Sequence, residues 1–212
     1  MTTVGKHRLR FSKADDLRLV SHHDLMRCLE RALRRAEIPM AYSQGFNPRP
    51  KVVFSQALAL GIEGRREVLE LELAEPIEPA ELLQRLREVA PPGLQFLEVE
   101  PAGPGRPARV EAVAYRLEVP AERREAARAA LAELLASSSR PFTRHRPDRT
   151  VEVDLRPFVL AAWFVDEGAF CFRLKMDPAG SARPEEVLET LGLRDLLATG
   201  AVLVRTDVEL AP

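Results

Sequence analysis

The residues best equipped for chemistry lie between positions 21 and 51. In "SHHD" (21–24), two histidines and an aspartate open a helical pattern. A neutral imidazole there can take a proton as a general base, and the free N–H groups of a helix start can hold an anion. His22 is the candidate catalytic residue. The plainer use of the same types is a cap: Ser21 as N-cap, with Asp24 three residues on. "AYSQGFNPRPK" (41–51) is richer still. Tyr42 and Phe46 can stack on a base, Gln44 and Asn47 can read base edges, and Ser43 adds a hydroxyl. Gly45 lets a ligand approach the backbone, while Arg49 and Lys51 can hold phosphate. Pro48 and Pro50 pin two φ angles, so the loop is stiff and loses less entropy on binding. The competing reading is a structural proline turn with Phe46 anchored in the core.

The elements around these residues strengthen the binding reading. Arg27, Arg31, Arg34 and Arg35 stand at i, i+4, i+7 and i+8 of the same helical pattern and form one basic stripe. Residues 1–55 carry 11 Lys and Arg against 5 Asp and Glu, a net of +6; residues 56–100 carry 4 against 10, a net of −6. An anionic partner would therefore meet the first quarter of the chain. Arg8, Arg10, Arg49 and Lys51 extend the basic set. Arg140, Arg144, Arg146 and Arg149 form a second, smaller cluster. Arginine makes up 27 of the 31 basic residues, which also suits a GC-rich genome.

Periodicity predicts strands at 7–13, 51–60, 67–75 and 94–100 and helices at 21–38 and 78–89. In "EVLELELAE", glutamates alternate with apolar residues, which predicts one wet face. Collapsed, residues 7–100 run βαββαβ, the order of a ferredoxin-like unit. After the Pro- and Gly-rich "PAGPGRPA" (101–108) the order recurs: a strand at 110–119, a helix at 121–137, a hairpin at 159–176 turning at Asp166-Glu167-Gly168, a helix at 183–193 and a last strand at 202–210. Residues 141–158 exceed the pattern and fit an extra hairpin. The expected fold is α+β: two tandem ferredoxin-like units with antiparallel sheets, over 1–105 and 106–212.

Composition closes off several classes. The 212 residues are 46% apolar and 30% charged, with a net charge of −1, a globular mix. No apolar run reaches about 18 residues, so no membrane span is expected, and "MTTVGKHRLRF" lacks a signal-peptide core. A cytoplasmic location follows as an expectation. Cys28 and Cys171 fall on apolar faces and suit small buried hydrophobes. Two cysteines fall short of the roughly four ligands of an iron–sulfur cluster and lack zinc spacing. The acidic residues of 63–88 have no metal-site pattern and suit a solvated face. Gly180-Ser181 before Arg183-Pro184 could form a small anion nest, though a plain helix start accounts for it as well.

The string "LRFSKADDLRLVSHHDLMRCLERALRRAEIPMAYSQGFNPRPKVVFSQALALGIEG" resembles the opening of the radical-SAM-linked protein family of bacteria. "VDLRPF" and "GSARPEEVLETLG" resemble its later segments, so the likeness spans nearly the whole chain. Where the family has "SHLD", this chain has His22-His23, which marks His23 as the dispensable one. The resemblance implies association with a radical S-adenosylmethionine enzyme, encoded beside it or fused to it, that also carries a cobalamin-binding type of domain. The iron–sulfur cluster, S-adenosylmethionine and cobalamin would sit in that partner, with no cofactor or metal on this chain. A weaker, fold-level likeness is to CRISPR repeat-processing endoribonucleases, which pair two ferredoxin-like units and often use a histidine on the first helix.

Three expectations result. The first is a non-catalytic accessory module that binds RNA and presents it to the radical enzyme. In it Tyr42 and Phe46 stack, Gln44 and Asn47 read, and Arg10, Arg31, Arg49 and Lys51 hold phosphates. The glutamate face stays free for protein contact. The second is a metal-independent ribonuclease or transferase with His22 as base and Tyr42 or Arg49 stabilising charge. The third is a protein-interaction module whose loop docks on the radical enzyme without RNA.

Overall fold

The computed structural model describes residues 5–145, 148–165, 168–178 and 180–211. Arg146 of the second basic cluster, and Asp166 and Glu167 of the expected turn, lie outside the described residues. The fold is mixed α+β, with mostly antiparallel strands and five α-helices among the described residues. Two compact units divide at Arg109 and Val110, Ala211 belonging to the first.

In the first unit the order is β1 (Gly5–Lys13), α1 (His22–Arg35), β2 (Val52–Phe54), β3 (Glu63–Leu73), α2 (Pro79–Val89) and β4 (Leu94–Pro101). β1 lies between β4 and β3, and β2 pairs on the far side of β3, every pair antiparallel. Alternation decides what each strand buries. Leu9 and Phe11 of β1 join Leu69, Leu71 and Leu73 of β3, and Leu94 and Phe96 of β4, in one core. Leu25, Leu29 and Leu33 of α1 and Leu82 and Leu86 of α2 close over that face.

The opposite face departs from the expected solvated acidic surface. Glu70 is only 2% exposed. Lys6 Nζ lies 2.6 Å from its carboxylate, Arg8 donates to it at 3.1 Å, and so does the Ala108 amide. Glu67, opposite Phe11 on the helix-covered face, is buried as well, and so is Glu63, which accepts from Arg65 and the Asp15 amide. A carboxylate withdrawn from water needs such partners, and for Glu70 the cations that alternate with Leu9 on β1, Lys6 and Arg8, supply two of them. β2 is also shorter than the 51–60 pattern suggests: after Phe54 the chain leaves the sheet, and buried Leu58 accounts for the remaining apolar signal.

The second unit runs β5 (Val110–Glu118), α3 (Ala121–Ala136), β6 (Pro141–His145), β7 (Thr150–Asp154), β8 (Val159–Phe164), β9 (Ala169–Lys175), α4 (Pro184–Thr190), α5 (Asp195–Ala198) and β10 (Val204–Leu210). Its sheet order is β10-β5-β9-β8, all antiparallel. β6 and β7 form the extra hairpin; short α5 has no counterpart in the sequence pattern. Tyr115, Phe172 and Phe170 stack in that order through the core, with successive centroids 5.2 and 5.0 Å apart. The cysteines are half-buried rather than buried.

Arg144 of the hairpin is withdrawn from solvent. It grips Glu186 of α4, with Nη2 2.8 Å from the carboxylate and 3.0 Å from the Ser181 carbonyl. The Arg183 amide also donates to Glu186, at 2.8 Å. The chain's own carboxylate therefore occupies the start of α4, where an anion nest was conceivable.

Removing one partner of a buried pair strands the other charge. Glu186→Ala should cost about 3 kcal/mol in chemical denaturation. Burial pushes the carboxyls of Glu70 and Glu186 up, but their partners outweigh it. For Glu70 these are Lys6, the Ala108 amide and Arg8; for Glu186 they are Arg144 and the Arg183 amide. Both carboxyls are held below the ordinary 4.5. Their stabilisation is complete above that value and lost as pH falls below it. Glu70→Gln and Glu186→Gln should each flatten the acid limb of a stability-against-pH curve.

Candidate nucleic-acid interface: helix α1 and the 41–51 loop

Ser21 caps α1 as the spacing predicts. Its hydroxyl oxygen accepts from the Asp24 amide at 3.2 Å and its O–H donates to the Asp24 carboxylate at 2.7 Å. The helix approach is held from below by Lys13, which is 0% exposed and donates to the carbonyls of Val20 (2.8 Å) and Arg18 (3.5 Å). Lys13 follows Leu9 and Phe11 at the same parity of β1, and that position was the sequence signal for its burial. Across the sheet, Glu67 folds over Gly64, where an added Cβ would lie 2.5 Å from the Glu67 side chain.

His22 packs edge-on against Phe54, with centroids 4.9 Å apart, and its Nδ1 is buried without a hydrogen-bond partner. Burial first, then the nearby His23 and Lys13, lowers its pKa below the usual 6.5. Each of these favours the neutral ring over the charged one. His23 is exposed.

Along α1, Arg27, Arg31, Arg34 and Arg35 are all exposed. Arg27 reaches Asp24 at 3.4 Å, and Arg31 Nε donates to the Arg27 carbonyl at 3.2 Å. Arg34 and Arg35 fill the last turn, where cations suit the helix dipole. A tight turn follows: Glu37 takes φ 52° and Ile38 donates to the Leu33 carbonyl. This turn sets the start of the loop directly beyond the arginine-bearing end of α1.

The loop is closed at its stem. Tyr42 bridges Pro50; Ser43 N–H donates to the Arg49 carbonyl at 2.9 Å, and Arg49 N–H donates to Ser43 Oγ at 3.0 Å. Ala41 donates to the Glu72 carbonyl, which roots the stem on β3. Tyr42 is half-buried and packs on the core. Lys51 pairs with Glu72 at 2.6 Å. The tip is different: Gln44, Gly45, Phe46, Asn47 and Arg49 are exposed, Gly45 takes φ 124°, and Phe46 stands fully in solvent.

The sequence-named residues therefore separate into groups. Arg31, the loop tip and its stem lie on α1 and just beyond it. Arg10 alternates with core residues Leu9 and Phe11, so it stands on the sheet face away from the helices, donating to the Arg66 carbonyl at 3.3 Å. His22 packs on Phe54, which pairs with Leu69, whereas the stem roots at Glu72. Three residues of strand are roughly 10 Å, so His22 and the stem have separate footings on β3. Arg34 and Arg35 belong with the loop group. Among the described residues no His, Cys, Asp and Glu cluster suits a metal, and no helix is long and apolar enough to cross a membrane.

Fold and surface together define an α+β protein that exposes the arginine face of α1 and the tip of a stem-closed loop. The chain belongs to a family described as uncharacterised proteins conserved in bacteria (DUF2344), matched over residues 6–184. No curated protein is significantly similar to it. Among solved structures it is similar to an unknown protein from Galdieria sulphuraria, at 14% identity and TM-score 0.30 over 98% of this chain and 99% of that one. It is also similar to one described as a "putative glycine cleavage system transcriptional repressor", at 8% identity and TM-score 0.27 over 95% and 98%. Scores this low carry no argument about fold or function.

A His with a lowered pKa favours the neutral ring in the fold, while the unfolded ring protonates near 6.5. The stability His22 contributes is therefore lost as pH falls below 6.5. In an NMR titration the His22 ring should show its midpoint below 6.5, and His22→Phe should remove that part of the acid sensitivity.

Proposed function

We propose that this protein is a non-catalytic accessory module that binds RNA through α1 and the 41–51 loop and presents it to a radical S-adenosylmethionine partner. One observation carries the RNA part. Arg8, Arg65, Arg66, Arg85, Arg116, Arg123, Arg144, Arg173 and Arg194 all pair with carboxylates. Among the described residues, the guanidiniums of Arg31, Arg34, Arg35 and Arg49 have no ion pair; Arg18, Arg87, Arg106 and Arg109 of the same unit also have none, but the first four lie together in sequence on α1 and the loop that follows it. Solvated guanidiniums without an ion pair, one of them three residues from exposed Phe46, suit phosphates and a splayed-out base. The stem-closed loop is preordered, which lowers the entropic cost of binding. The partner, and the cluster, S-adenosylmethionine and cobalamin it would carry, rest on the family resemblance alone.

A finer reading of the fold belongs to the same proposal: each unit is ferredoxin-like. βαββαβ order with sheet order fourth-first-third-second supports it in the first unit, and β10-β5-β9-β8 repeats that order in the second. The neutral ring of His22 favours a second reading, a metal-independent ribonuclease with His22 as base.

The test is fluorescence anisotropy with structured RNA at about 50 and 200 mM salt. The parent should bind in a salt-sensitive manner, and Arg34→Ala with Arg49→Ala should lower the salt slope by about two. No binding at the lower salt would sink the RNA reading. Cleavage of the RNA that stops in His22→Ala would establish the second reading instead.

A further inference from the structure

β8 (Val159–Phe164) is the outer strand of the second unit's sheet, and among the described residues no strand pairs with its far edge. Its sequence, VLAAWF, holds no charge, no proline and no glycine. Natural edges are usually blunted by such residues, because an unpaired row of peptide groups is a template for another strand. The backbone orientation is set by the turn: Val165 N–H donates inward to the Ala169 carbonyl at 2.9 Å. By alternation Trp163 and Ala161 also direct their peptide groups at β9, and Ala162 and Phe164 direct theirs outwards. Two large apolar side chains on this strand are left exposed, Leu160 at 47% and Trp163 at 43%.

We propose that this edge pairs with the same edge of a second copy of the chain. Opposed residues of an antiparallel pair must share a face and an orientation, so a two-fold axis through outward-facing Ala162 meets both conditions. That axis sets Trp163 of each copy against Ala161 of the other, large against small on the same sheet face. Ala162 meets its own copy at the centre. The side chains of β8 itself bring no like charges together and offer a charged partner strand nothing to complement it; the Arg128 guanidinium lies 4.8 Å over the Phe164 ring, two residues from the axis. Leu160, displaced at the β-bulge between Val159 and Ala161, lies at the margin of the shared surface. One short strand pair buries less than a standard interface, so the association is expected to be micromolar. This inference is independent of RNA binding.

The full chain would be followed by sedimentation equilibrium between about 1 and 100 µM. The mass should rise with concentration from that of the 23.7 kDa monomer towards twice it. Trp163 is the chain's single tryptophan, so its emission should shift to the blue over the same range. Trp163→Lys should be monomeric throughout. Ala162→Pro removes an outward N–H that β9 does not use and should weaken association at least about tenfold. Circular dichroism would check that both variants stay folded. A parent that stays monomeric at the highest concentration overturns the proposal, as does a dimer that both variants leave intact.

Discussion

A buried carboxylate governs the first unit. Glu70 stands in the middle of β3 on the face away from the helices, where a lone charge would be prohibitively costly. It is tolerated because Lys6, Arg8 and the Ala108 amide converge on it. Those three contacts tie β1, β3 and the segment beyond β4 together. They also decide which cations remain for anything else. Lys6 and Arg8 face Glu70, and Lys51 faces Glu72. On α1 and the loop, Arg27 pairs with Asp24, and Arg31, Arg34, Arg35 and Arg49 are left without an acidic partner among the described residues.

The second unit uses the same device elsewhere. Glu186 is held by Arg144 and the Arg183 amide, which fastens the β6–β7 hairpin to α4. Asp154 accepts from the amides of Arg140 and Arg156 at 2.7 and 3.0 Å and turns the chain from the hairpin towards β8. The fold therefore explains both later resemblance strings, "VDLRPF" and "GSARPEEVLETLG". It does not explain "YSQGFNPRPK" in the same way. Tyr42, Ser43 and Lys51 serve the stem, but the exposed side chains of Gln44, Phe46, Asn47 and Arg49 contribute nothing to a core. Phe46 is as solvated in the fold as in the unfolded chain, so the braced loop gains nothing for the core from it.

The candidate site was partly legible for local reasons. Capping chemistry is a three-residue affair, so Ser21 and Asp24 marked the start of α1 correctly. The arginine stripe follows from helical spacing, and the stiffness of the loop from its prolines. The buried members of the site were harder to see. Lys13 looks like any surface cation unless its parity with Leu9 and Phe11 is counted. Arg10 looked like a companion of Arg31 because both are basic; strand alternation sends it to the other face.

Apart from short α5, sequence alone determined the order of strands and α-helices, the recurrence of that order and the extra hairpin, because hydrophobic period, caps and turn residues act over a few neighbours. Tertiary structure alone decided which glutamates are buried, which arginines are neutralised, and which strand is left at the edge of its sheet. Those outcomes hang on pairings between residues far apart in the chain, such as Arg8 with Glu70 or Arg144 with Glu186. A charge reads the same in sequence whether its partner lies across a strand or is water.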